Sequence, residues 1–152
     1  MSSPTVPTIR HLERDEIESL LQRHHIGRLA YSFRDRVDVE PIHYVYEKGW
    51  IYGRTSPGAK LTTVQHNPWV AFEVDEVDSV LEWRSAVVHG TLYLLSGRHA
   101  AVDESVVRDA EALLRRVVPS AFEPGDPTPE RNVLIRIAVQ EFSGRASTLK
   151  GR

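Results

Sequence analysis

One stretch of the chain has residue types and spacing suited to holding an anion. From Gly49 to Asp75 it reads GWIYGRTSPGAKLTTVQHNPWVAFEVD. Trp50 to Gly53 has strand composition. Ser56 is a good helix N-cap, and Pro57 suits the first helical position, where a missing N–H costs nothing. Gly58 lets a ligand approach the backbone closely. Lys60 follows one turn in, with Arg54 and Thr55 just before the cap. A helix start offers free N–H groups and the positive end of a dipole. With a lysine, two hydroxyls and an arginine added, the stretch describes a phosphate cradle. The same residues also describe an ordinary capped helix with a solvated lysine.

Other chemistries fit less well. Gly53 and Gly58 have P-loop spacing, but the lysine comes one residue late and Leu61 stands where the magnesium-binding hydroxyl belongs. No G-x-S-x-G elbow is present. The seven histidines (His11, His24, His25, His43, His66, His89 and His99) form no H-x-x-x-H pair, so no metal site is expected. Glu73 and Asp75 share one strand face and could pair as acids, although solvated strand charges are commoner. Trp83-Arg84-Ser85 forms a second cluster: an arginine between an aromatic and a serine can grip a phosphate or an anionic ring, or simply stack on Trp83. A cradle without a self-sufficient nucleophile or acid–base set points to a cofactor that carries the hard chemistry.

The elements that must position these residues are mostly strands. The chain has 152 residues, 41% hydrophobic and 26% charged, which suits one globular domain with a real core. A net charge of −2 gives no field to recruit nucleic acid, and no apolar run approaches the roughly 20 residues of a membrane helix. No cysteine is present, so disulfides and thiolate sites are excluded. No secretory signal is seen at the N-terminus, and a cytoplasmic protein is expected. Residues 1–10 read as a loose arm and 146–152 as a polar tail of a single domain 1–152. Glu13 to His24 is expected as a helix. Arg28–Phe33, Val37–Tyr46 and Trp50–Gly53 follow as a meander of strands joined by polar turns. Pro41 interrupts the second of these and marks an edge or bulge, with backbone groups free for something else. Trp69–Asp75 is a strand, Glu76–Ser79 an acidic turn, and Val80–Leu95 a long strand bent near Gly90. Val102 to Val117 has helical spacing, Pro119–Pro129 is loop, and Asn132–Phe142 is the last strand. About six strands with three outlying helices predict a mainly β fold, a closed or nearly closed antiparallel barrel.

Four segments together resemble a known family. These are Pro41-Ile42-His43-Tyr44, Ile51 to Leu61, Asn67 to Asp75, and Trp83-Arg84-Ser85 through Gly90. Over roughly Leu12 to Arg145 they resemble the pyridoxamine 5′-phosphate oxidase-related, FMN-binding split-barrel proteins, in the nitroimidazole-reductase-like branch. The resemblance implies a six-stranded split β-barrel that forms a homodimer, with FMN in two clefts at the interface. Arg54, Thr55, Ser56 and Lys60 would hold the phosphate. Backbone around Pro41, Ile42 and His43 would line the flavin ring. Trp83, Arg84 and Ser85 would close the site, with the other subunit as one source of them. The implied activity is hydride or electron transfer between flavin and a small organic substrate, nitroaromatic or quinone-like. The tail lacks the arginine- and histidine-bearing segment that grips a pyridoxamine-phosphate substrate, which argues against vitamin B6 oxidation.

Two alternatives share the barrel. A deazaflavin-dependent reductase would need extra basic residues at the entrance, for which Arg28, Arg34 and Arg36 are candidates. A non-enzymatic flavin or haem carrier would use His43 or His89 as haem ligand.

Overall fold

The computed structural model describes residues 6–96 and 102–149; His99 and the outermost parts of the expected arm and tail lie outside them. Seven strands and three helices run in the order β1 (Pro7–His11), α1 (Arg14–Arg23), β2 (Ile26–Phe33), β3 (Arg36–Glu47), β4 (Trp50–Thr55), α2 (Ala59–His66), β5 (Trp69–Ser79), β6 (Glu82–Leu94), α3 (Glu104–Arg115) and β7 (Val133–Leu149). Every pairing is antiparallel. Six strands close a ring, β7-β4-β3-β2-β5-β6 and back to β7, and β1 adds along the far half of β7. Closure removes most exposed strand edges. The hairpins β2–β3 and β3–β4 turn on two residues each, Arg34-Asp35 and Lys48-Gly49, all with positive φ. Such turns match the twist of paired strands.

Strand alternation sorts the side chains. Leu29, Ile42, Tyr44, Ile51, Val70, Phe72, Val74, Ala86 and Val88 point into one buried cluster inside the ring. Helix α1 plugs one end of it with Ile17, Leu20 and Leu21. Two tyrosines pin the plug: Tyr44 Oη donates to the Leu21 carbonyl at 2.7 Å and Tyr46 Oη to Glu18 at 2.9 Å. Helix α3 covers the outside, where Ala110 and Leu114 pack with Val45, Leu95 and Leu134. Helix α2 sits at the other end, tied by Asn67 Nδ2 to the Ser32 carbonyl at 2.8 Å and by a His66–Phe33 stack.

Four boundaries differ from the expectation. Residues 7–10 of the expected loose arm are strand, paired with residues 146–149 of the expected polar tail. Strand β7 does not stop at Phe142, because its second half is a middle strand between β1 and β6. Its small residues are required there: a Cβ on Gly144 would lie 2.9 Å from Ile17 and 3.0 Å from Leu12, and Ala146 and Ser147 are buried. Polarity read as solvent exposure is here the close approach of α1 and β1. Likewise Glu76–Ser79 continues β5, since ion pairs satisfy Glu76; the turn falls at Val80-Leu81.

The bend in β6 lies at Gly90, where the register with β7 shifts. A Cβ there would stand 2.0 Å from the Ala138 carbonyl oxygen. Gly90→Ala therefore forces β6 from β7, and a stability loss of about 2–4 kcal/mol is expected. Urea unfolding measures it; a change within about 0.5 kcal/mol, the range of an ordinary surface substitution, would contradict that close approach.

Candidate functional site

The ring is incomplete at one place. Strands β3 and β4 pair from Glu47↔Trp50 only as far as Tyr44↔Gly53. Beyond that, β3 follows β2 alone and the end of β4 follows β7. Residues 36–43 of β3 therefore present an edge to a split, and Thr55 ends β4 across it. Pro41 lies in this edge, opposite Arg28. The strand runs through the proline without interruption, which corrects that part of the sequence reading. The edge placement agrees with it, because the edge side requires no ladder N–H from proline.

Lys60 and Thr55 meet at the mouth of the split. Lys60 Nζ donates to both carboxylate oxygens of Glu40, each at 2.9 Å, and Thr55 Oγ1 donates to Glu40 Oε1 at 3.3 Å. Helix α2 begins at Ala59 with Gly58 as its N-cap, so Ser56 does not cap it. Residues 56–58 are instead needed as a bridge from the end of β4 over the mouth. Ser56 is half-buried in that bridge, and Lys60 is the second residue of the helix.

Arg54 is elsewhere. Neighbours on a strand face opposite sides, so Thr55 at the mouth puts Arg54 outside the ring. There it is 1% exposed, under the proline-rich loop before β7. Its guanidinium donates to Asp126 Oδ1 at 3.2 Å, Asp126 Oδ2 at 2.5 Å, the Arg131 carbonyl at 2.8 Å and the Thr128 carbonyl at 3.1 Å. It also stacks 4.3 Å from the Phe122 ring. The hydrogen bonds from Arg54 hold the Asp126 carboxyl well below the usual carboxylate range. Arg54 is thus not brought to Thr55, Ser56 and Lys60. It anchors the loop that carries Arg131, and the charges of Arg131 and Arg54 both act on His43.

Ile42 packs in the core, and His43 lies on the outer face beside it. The His43 Nδ1 atom is buried without a hydrogen-bond partner among the described residues. Burial, then the Arg131 and Arg54 charges, push its pKa down, so the ring is neutral at pH 7.

Trp83, Arg84 and Ser85 form a different constellation. Arg84 points to the inner side, where Glu76 accepts from it at 2.8 Å, from Arg23 at 2.6 and 2.8 Å, and contacts His24. Ser85, on the outer side, donates to Glu73 at 3.0 Å. Glu73 and Asp75 do share a face, with Arg28 Nη1 3.7 Å from each. Burial foremost, then the hydrogen bond and charge of Asp75, push Glu73 up to about 7. Trp83 aligns with Ser147 of β7 and Thr55 with Val133 of the same strand. At about 3.3 Å per residue those positions lie on the order of 45 Å apart along the strand path. One chain therefore keeps this cluster away from Lys60.

Among the other candidates, Arg36 pairs with Asp38 at 3.1 Å, Arg34 lies over the Phe33 ring, and His89 stacks on Trp69 with Glu141 at 3.7 Å. Sequence reasoning did not find Glu40, Asp126 or Glu76. Glu40 carried no signal beyond directly preceding Pro41, since its role arises only where β3 leaves β4. Asp126 had none beyond its place in a proline-rich loop.

Because Glu73 takes up a proton more readily folded than unfolded, its contribution to stability is greatest below the ordinary glutamate pKa. It is lost as pH rises through about 7. Glu73→Gln should flatten the fall in stability between pH 5 and 8, measured by urea midpoints at each pH. An unchanged slope would place the proton elsewhere.

The geometry can be set beside known proteins. The family model for pyridoxamine 5′-phosphate oxidase matches residues 13–146. An uncharacterized protein of Rhizobium meliloti (strain 1021) is 26% identical over 147 residues, covering 91% of this chain and 95% of that one. The crystal structure of a FAD-binding protein from Mesorhizobium loti superposes with a TM-score of 0.74 at 28% identity, covering 92% of this chain and 99% of its own. A conserved protein of unknown function from Corynebacterium diphtheriae gives a TM-score of 0.70 at 30% identity, covering 92% and 98%.

Proposed function

The chain belongs to the pyridoxamine 5′-phosphate oxidase family, and from that premise we propose that it is a flavin-binding oxidoreductase that takes FMN and acts on a small organic substrate, nitroaromatic or quinone-like. The observation that carries the reading is the split itself. A strand edge without a partner strand, a buried His43 Nδ1 without a partner, and a lysine and threonine at the mouth suit the ring edge and the phosphate of one ligand. The similarity to a FAD-binding protein supports a flavin in general. Lys60, Thr55 and Ser56 would hold the phosphate. The edge around Pro41, Ile42 and His43 would line the ring, His43 keeping an uncharged face toward it. Arg54 would act indirectly, by holding the loop against His43. When bound, the flavin supplies the hydride or electron transfer. The chain's own residues bind, orient and exclude water.

The deazaflavin alternative has less support, since Arg36 is paired with Asp38 and Arg28 lies between two acids.

A visible spectrum after FMN loading and removal of free ligand is the first test. Lys60→Ala should weaken FMN binding about tenfold or more, the scale of a lost charge-assisted phosphate contact, and leave riboflavin nearly unaffected. A variant that binds FMN as the parent does would remove the cradle from this reading. FAD, titrated in parallel, ranks the two flavins.

A second copy of the chain completes the proposed site. Trp83, Arg84 and Ser85 are too far from Lys60 in one chain to serve the same ligand, but a twofold neighbour can supply them. Val37, Val39 and Ile26 are exposed on the outer face of the β3–β2 sheet, at 72%, 66% and 54%. Such a face suits an interface between copies. Sedimentation equilibrium should give a dimer, and Val39→Asp should shift it toward monomer with loss of FMN retention. A monomer that retains FMN would refute the shared site.

A further inference from the structure

Glu40 occupies the place the cradle offers to a phosphate. Its two oxygens take the Lys60 ammonium at 2.9 Å each, and one of them takes the Thr55 hydroxyl. These are two of the donors assigned above to the cofactor. Glu40 reaches them because it lies on the part of β3 that has left β4, one residue before the proline. Its register partner is the core residue Leu29, so its side chain is on the inner face, toward the mouth. The negative charge acts inside the pocket too: after burial, the Glu40 charge is the largest influence raising the Tyr31 hydroxyl pKa.

The carboxylate has nowhere deeper to go. Behind Thr55 and Lys60 the cavity measures about 10 Å³, and Tyr31, Leu61, Val64 and Leu92 close it. That is room for one water at most. A phosphate arriving at Lys60 therefore either meets a like charge at contact distance or drives Glu40 outward, toward the split. Both side chains reach solvent, 21% exposed for Lys60 and 24% for Glu40, so this pair is accessible to exchange. Arg54 and Asp126, at 1% and 5%, are not.

We propose that Glu40 is a built-in anionic competitor, a gate that holds the Lys60–Thr55 cradle closed and is displaced by the phosphate of the incoming ligand. This rests on the flavin reading for the identity of that ligand, but not for its charge. The gate sets selectivity. A phosphate monoester pays for displacing Glu40, while a neutral flavin without phosphate does not compete for Lys60 at all. The free cradle is also kept electrically neutral, which disfavours casual occupation by small inorganic anions.

The test compares the full-length protein with Glu40→Gln, which keeps the shape and removes the charge. FMN, riboflavin and inorganic phosphate are titrated separately by calorimetry, with thermal unfolding as the check on folding. Glu40→Gln should bind FMN and inorganic phosphate about tenfold more tightly, the scale of one close charge contact at a partly exposed site, with riboflavin changed less than about twofold. Glu40→Asp retracts the carboxylate by one carbon and keeps its charge. It should lie between the two, and it carries the test if the glutamine variant does not fold. A gain for phosphate in a protein that takes no flavin would uphold the gate and sink the flavin reading. Equal or weaker binding of both FMN and phosphate by Glu40→Gln would overturn the gate, and Glu40 would then be a residue that merely poses Lys60.

Discussion

The parting of β3 from β4 is the constraint on which the rest of this structure depends. A six-stranded ring satisfies its backbone through neighbours on both sides. Here β4 is only six residues long and β3 is twelve. Past Gly53 the two strands diverge: Arg54 and Thr55 stay with β7 while β3 stays with β2, and the chain must then cross the opening to start α2. The opening is thus a consequence of that divergence together with unequal strand lengths. It leaves Glu40, Pro41 and His43 on a free edge, facing the end of β4. A proline is harmless on such an edge and would be costly on a paired one. The plugs at the two ends of the ring follow the same logic. Helix α1 closes its end with three leucine or isoleucine side chains, while the shorter, less buried α2 leaves the opposite end to a lysine and a threonine.

Strand alternation then divides the labour within a single tripeptide. Arg54, Thr55 and Ser56 look equivalent in the sequence, three polar groups ahead of a helix. In the structure the first faces out under a loop, the second faces the mouth, and the third belongs to the bridge. The arginine's four hydrogen bonds to Asp126 and two carbonyls convert a proline-rich loop, poor in ladder bonds of its own, into a fixed wall beside His43. A buried guanidinium requires such complete pairing. The motif around Arg54 gives no sign of this loop-holding contact.

Much of the fold was legible because its signals were periodic. The alternation in Leu29–Tyr31–Phe33 and Val70–Phe72–Val74, the Ile17–Leu20–Leu21 spacing and the bend at Gly90 each follow from one element's own pattern. What was not legible depended on residues far apart in sequence. The last strand was expected to end at Phe142 because the small polar residues after it carry no hydrophobic period, and the approach of α1 and β1 explains why nothing larger fits at Gly144. The Arg54–Asp126 pair spans 72 residues and the Arg23–Glu76 pair 53, and local spacing contains no trace of either. At the candidate site, the turn chemistry pointed to Lys60 and Thr55, and the structure brings the two side chains together on Glu40. Glu40 was not, because its role arises only when two strands diverge.

Every cationic side chain the sequence offers to an anion at the cradle or at Trp83–Ser85 already has a carboxylate partner. Arg54 has Asp126, Arg84 has Glu76 and Lys60 has Glu40. What separates them is how the pair is held. Asp126 also accepts from two backbone N–H groups, so removing it would strand a buried charge and undo a loop. Glu76 is shared among Arg23, His24 and Arg84, and displacing it would take the common carboxylate from all three at once. Among the described residues Glu40 accepts from Lys60 and Thr55, side chains that would keep an anion's company after it left. Both members of that pair see solvent, so exchange of one anion for another involves little desolvation of a lone charge. Of the three pairs, Lys60–Glu40 is the one that neither fixes a loop nor serves several cations, and it is the one that stands at the split.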